Sequence, residues 1–154
     1  MNRRFEFRLF ADYFQFYLQD EGAELDLSES WSEEAVGRLL AIAPGTIGIG
    51  TVRNMNVPVV VEVAENAPED DASEWDQINE CDLEVSSGRV LIAGCTDYFP
   101  DAARIELSPG TYRARVYYGK LNTLSADGLD GEDRYKIVLW SAAPGPLRVI
   151  KQRA

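Results

Sequence analysis

The chain has 154 residues, two cysteines, no histidine, and 26 acidic against 15 basic residues, for a formal net charge of −11. That length supports one domain able to bury about two thirds of its unfolded surface, and 45% hydrophobic with 27% charged residues is the composition of a folded globule. The missing histidine removes the commonest general base, the commonest zinc ligand and every Ser/His or Cys/His nucleophile pair, while the negative field repels nucleic-acid phosphates and anionic membranes.

In chain order, "RFEFRLF" alternates Phe5, Phe7 and Leu9 with Arg4, Glu6 and Arg8, as a half-buried strand does. "YFQFYLQD" repeats the pattern, with Phe14, Phe16 and Leu18 expected inward and Tyr13, Gln15 and Tyr17 outward. The link around Ala11 and Asp12 reads as a hairpin or as a bend in one long strand. A single amphipathic helix is expected in "SESWSEEAVGRLLAIAPG": Ser30 with Glu33 has capping-box spacing, Ser32 is a rival cap, and Val36, Leu39 and Leu40 form the apolar stripe before Pro44-Gly45.

Strand patterns then return as "TIGIGTV", "VPVVVEVAE", "INECDLEV", "RVLIAGC", "RIEL", "TYRARVYY", "YKIVLW" and "PLRVIKQ", separated by turns such as "SSG" and "SPG". About ten short strands with one helix predict a mainly β fold, an antiparallel sandwich or flattened barrel, with residues 1–154 as one domain. The N-terminus interleaves Glu6, Arg8 and Asp12 with its aromatics, and no run reaches the roughly 20 apolar residues of a membrane span, so the expected location is the cytoplasm. In a reducing cytoplasm Cys81 and Cys95, in adjacent apolar runs, read as small core hydrophobes, a disulfide being the minor alternative.

Charge is segregated. From Leu9 to Gly37 there are eight acids, and from Asn54 to Gly88 ten, without one lysine or arginine in either stretch. The loop "TLSADGLDGEDRY" gathers Asp127, Asp130, Glu132 and Asp133 around two Asp-Gly turn dipeptides. Its acids miss the spacing of a calcium-binding EF-hand and its flanks are strands, so it reads as a hydrated hairpin loop, not a metal site. "GTIGIG" lacks the following helix and Lys-Ser or Lys-Thr of a phosphate loop, and glycines so placed in a strand mark close packing. Paired carboxylates could serve a glycosidase, but Glu62 and Glu106, the acids set in apolar strands, alternate outward. No catalytic residue, cofactor or metal is therefore assigned. A face made by Arg113, Arg115 and Tyr117 with Lys136, Val138 and Trp140 offers a second reading, a small-ligand or carbohydrate-binding sandwich using Tyr117, Arg113 and Trp140.

The order of "FQFYL", the helix start "WSEEAV", "APGTIGIGTVRN", a valine-rich strand, then "SPGTYRARVYY", an acidic loop and "YKIVLW" resembles the ComJ-type family of competence proteins, inhibitors of the DNA-entry nuclease. The resemblance implies a non-enzymatic, nuclease-inhibitor or immunity-like protein whose partner is a basic protein such as a nuclease. An acidic, rigid sheet protein suits a nuclease's DNA cleft, trading phosphates for Asp and Glu. On that reading Asp127, Asp130, Glu132 and Asp133 supply rim electrostatics and Trp75 is the candidate buried anchor, with no direct contact to nucleic acid or membrane.

Overall fold

A computed structural model describes residues 2–24, 27–69 and 72–153. The strands are β1 (Arg3–Phe10), β2 (Gln15–Asp20), β3 (Leu40–Ala43), β4 (Thr46–Gly50), β5 (Asn56–Ala64), β6 (Gln77–Val85), β7 (Arg89–Gly94), β8 (Ala103–Glu106), β9 (Gly110–Gly119), β10 (Arg134–Ser141) and β11 (Arg148–Lys151), with one helix, α1 (Glu33–Arg38). They form a six-stranded sheet, β1-β5-β10-β9-β6-β11, and a five-stranded sheet, β3-β4-β2-β7-β8.

The two sheets meet over one apolar interior. Inward residues of the larger sheet, among them Val59, Val61, Ala114, Val116, Ile137 and Leu139, face Phe16, Leu18, Ile47, Ile49 and Ile92 of the smaller one, all at most 1% exposed. Each such side chain contributes roughly 1.5–3 kcal/mol through removal from water, so the period-2 pattern of the strands is itself what glues the layers. All pairings are antiparallel except β5 with β10, which run parallel with Tyr135 opposite Val59. β5 thus takes an antiparallel partner, β1, on one edge and a parallel one on the other, a mixture that alternation alone does not encode.

Three local expectations change. First, β1 and β2 are not a hairpin, nor one bent strand: β1 pairs with β5 in the larger sheet, while β2 pairs with β4 and β7 in the smaller. A short 3-10 turn at Asp12–Phe14 carries the chain between layers, with Tyr13 at φ 57° and Phe14 at φ 59°. Phe14 consequently faces water, and Tyr17, expected outward, is covered.

Second, the helix is one and a half turns long. Its cap is Ser32, whose Oγ accepts from the Ala35 N–H at 3.2 Å, and not Ser30. Third, the expected stripe divides: Val36 is 55% exposed, Leu39 closes the helix in the left-handed region at φ 63°, and Leu40 opens β3. Pro44-Gly45, read as a helix stop, is the two-residue turn joining β3 to β4, with Ala43 opposite Thr46 and Gly45 at φ 69°.

Candidate functional site

The acidic loop is built on the β9–β10 connection, residues 120–133. Asp127 organises its tip: Oδ1 accepts from the Ser125 hydroxyl and from the Leu129 N–H at 3.0 Å. The Ser125 hydroxyl accepts from the Asp130 N–H at 3.0 Å, and Thr123 Oγ1 accepts from the Glu132 N–H at 2.8 Å. Hydrogen bonds from Ser125 and then Leu129 hold the Asp127 carboxyl below the usual carboxylate range, so it stays ionised. Asp127, Asp130 and Glu132 are exposed.

Asp133, expected beside them on the rim, is wholly buried. Its Oδ1 accepts from Arg53 Nε at 2.8 Å and its Oδ2 from the Tyr135 hydroxyl at 2.7 Å. Tyr135 in turn accepts from the Val52 N–H at 3.1 Å, and Arg53 reaches the Leu129 carbonyl. A buried carboxylate survives only when paired and hydrogen-bonded, and this one fastens the loop to the segment leaving β4. Asp133 therefore shapes the acidic loop from beneath.

Trp75, the expected anchor for a partner, is already anchored in its own chain. It is 9% exposed, lies 5.2 Å from the Tyr117 ring and carries the Arg134 guanidinium 4.3 Å above its face. With Ile78, Tyr117, Val138 and Trp140 it forms a second apolar cluster on the outer face of the larger sheet. That cluster also closes the face considered for a sugar, since Arg113, Tyr117 and Trp140 are 5%, 1% and 7% exposed. Arg113 bonds Glu80 at 3.0 Å, Asp82 at 2.7 Å and the Gly145 and Pro146 carbonyls, while Arg115 bonds Glu80 and the Pro68 carbonyl.

Burial pushes the Glu80 carboxyl up, but hydrogen bonds from Arg113 and Arg115 and their charges outweigh it, and the net shift is downward. A general acid for glycoside chemistry needs the opposite displacement. Glu62, one of the two acids set in apolar strands, pairs with Arg4 at 3.0 Å and Lys136 at 3.4 Å. Among the described residues no three Asp, Glu, Cys or His side chains converge as a metal cage. Both cysteines are free thiols; burial lifts Cys81 to about 12, leaving it an inert core group.

Sequence reasoning missed one surface. Tyr13, Phe14, Trp31, Val36, Leu39, Gly50 and Thr51 line an open groove of about 400 Å³ between α1 and the turn after β1. Tyr13 and Phe14 project from it at 69% and 53% exposure. The end of α1 is fixed by the larger sheet: the Leu39 carbonyl accepts from the Tyr118 hydroxyl, and the Arg38 carbonyl from Asn79 Nδ2 at 2.8 Å. The groove and the acidic loop share one end of the sandwich, because residues 50–54 serve both. Gly50 and Thr51 line the groove, Asn54 Oδ1 accepts from the Phe14 N–H, and Arg53 holds Asp133 and Leu129.

The molecule is thus a two-sheet β-sandwich in which residues 50–54 join the loop bearing Asp127, Asp130 and Glu132 to the groove lined by Tyr13 and Phe14. No protein-family model matches the chain, and no curated protein sequence does. Its fold is that of solved structures. ComJ from Bacillus subtilis, an inhibitor of the DNA degrading activity of NucA, superposes with a TM-score of 0.73 at 18% identity, covering 92% of this chain and 99% of ComJ. The product of crocagin biosynthetic gene J superposes with a TM-score of 0.65 at 18% identity, covering 93% of this chain and 99% of its own. The fold expected from the order of sequence elements is the fold observed.

Proposed function

We propose that this protein is a non-enzymatic binding module of the nuclease-inhibitor type, which occludes a basic partner protein with its acidic end. The observation that carries the reading is the constrained loop presenting Asp127, Asp130 and Glu132 on a scaffold with a ComJ-like fold. A loop whose backbone is held by its own hydrogen bonds loses little freedom on binding, and its carboxylates mimic the spaced negative charges that a nuclease cleft attracts. Asp133 and Trp75 act from within, the first by fastening the loop through Arg53 and the second by packing under Arg134, which opens β10 immediately after it.

On this reading no bond is made or broken by the protein, and the partner is a protein and not a nucleic acid. Two free thiols fit a reducing cytoplasm, and no helix of the described residues is long and apolar enough to cross a membrane. The test is titration of the protein into a DNA-degradation assay with a basic nuclease of the NucA kind. Inhibition that saturates at a fixed protein-to-nuclease ratio, with the DNA concentration shifting the curve competitively, supports the reading. DNA cleavage unaffected by a large excess of protein contradicts it.

A further inference from the structure

The groove beside α1 has features that core packing does not account for. Two consecutive aromatic residues, Tyr13 and Phe14, occupy the left-handed backbone region, which bulky side chains adopt only at a cost. The conformation is held by several bonds: Asp12 Oδ1 accepts from the Tyr13 N–H at 3.1 Å, and the Phe14 carbonyl accepts from the Thr51 N–H at 2.9 Å. The strain is spent on turning two rings away from the interior and into water. Val36 stands exposed on the opposite wall.

Charge defines what fits. Glu33 lies one turn before Val36 on the same helical face and is exposed, as is Glu34. No lysine or arginine occurs from Leu9 to Gly37, and the loop bearing Asp127 adjoins through residues 50–54. A second copy of this chain would bring acid against acid. An apolar cleft with Glu33 and Glu34 exposed beside it and the Asp127 loop adjoining is complementary to a cationic segment carrying an apolar side chain.

We propose that the groove lined by Tyr13, Phe14, Val36 and Gly50 is the docking site for a cationic segment of a partner protein, which inserts one aromatic or aliphatic side chain between the rings and α1. The inference rests on the reading of the chain as a protein-binding module and adds to it the place where the anchor enters. The acidic loop steers and the groove holds.

The probes are two capped hexapeptides, each with four cationic residues around a central pair, Leu-Phe in one and Ser-Ser in the other, titrated into the labelled full chain and followed by backbone amide shifts. The Leu-Phe peptide is expected to move the amides of Tyr13, Phe14, Val36 and Gly50 and to bind roughly tenfold more tightly than the Ser-Ser peptide. Val36→Ser, at an exposed position, and Phe14→Gly, where glycine suits the backbone, should each weaken it several-fold, and Glu33→Gln should weaken both peptides. Equal binding of the two peptides, or shifts confined to the loop around Asp127, would overturn the proposal. Nuclease inhibition that survives Val36→Ser and Phe14→Gly unchanged would also overturn it while leaving the inhibitor reading intact. Groove binding by the Leu-Phe peptide without nuclease inhibition would uphold the groove and remove the nuclease as partner.

Discussion

Arg53 Nε donates to Asp133 Oδ1 across 2.8 Å with the two side chains 8% and 0% exposed, so a charge pair inside the protein fixes the loop that carries the external charges. Eighty residues separate the two. Removing one partner strands the other charge out of water. Arg53→Met is expected to destabilise the fold by about 3–5 kcal/mol, and to speed hydrogen exchange at the Glu132 amide, which now bonds Thr123. Adding Asp133→Leu to it should recover part of the loss. Chemical denaturation of the single and double variants measures both.

Acid should unfold the protein through a small set of carboxyls. Burial raises Asp20, but hydrogen bonds from Ser87, Gly22 and Ser86 outweigh it, and the net displacement is downward, as for Glu80 with Arg113 and Arg115. A carboxyl titrating lower in the folded than in the unfolded chain stabilises above its ordinary value, about 4, and that stabilisation is lost as pH falls through the folded value. Stability should therefore be flat from neutrality to about pH 5 and fall below it. Asp20→Asn should flatten the acid limb, which melting curves at stepped pH will show.

The glycines of "GTIGIG" are sites of close approach. A Cβ on Gly48 would stand 2.7 Å from Leu27 Cδ1 and 3.1 Å from the Trp31 ring, and one on Gly50 would stand 3.2 Å from the Leu39 Cα. Gly48→Ala is expected to cost about 1–3 kcal/mol by forcing the covering segment away from β4. Trp31 emission should shift in the folded variant if that segment lifts.

Strain at the 3-10 turn predicts a separation of stability from binding. Tyr13→Gly relieves a left-handed backbone that favours glycine, so its melting temperature should be no lower than that of the parent chain. Its affinity for a cationic partner should nonetheless fall. A drop in stability matching the drop in affinity would show that the ring serves packing instead.

Most of the fold is legible because strand faces differ in hydrophobicity. Phe5, Phe7 and Leu9 against Arg4, Glu6 and Arg8 specify both β1 and its inward side. Three things were not legible for physical reasons. The aromatic run from Tyr13 to Tyr17 carries apolar residues on both faces, so its pattern cannot reveal that Phe14 sits in a turn before β2 begins. Val36, Leu39 and Leu40 have helical spacing, yet the left-handed Leu39 breaks the helix between them. Asp133 is one of four neighbouring acids, and only its long-range partner Arg53 sets it apart from Asp130 and Glu132. The groove was hidden for the same reason, since Tyr13, Val36 and Gly50 come together only across the two sheets' connections.

The measurement that bears most directly on the inhibitor reading is the association rate with a basic nuclease as ionic strength rises from roughly 50 to 300 mM, for the parent chain and for Asp127→Asn/Asp130→Asn/Glu132→Gln together. The account predicts a rate that falls steeply with salt for the parent, by about tenfold or more, and a lower, flatter dependence for the triple variant, with dissociation less affected. Rates that are the same for both proteins and indifferent to salt would contradict it.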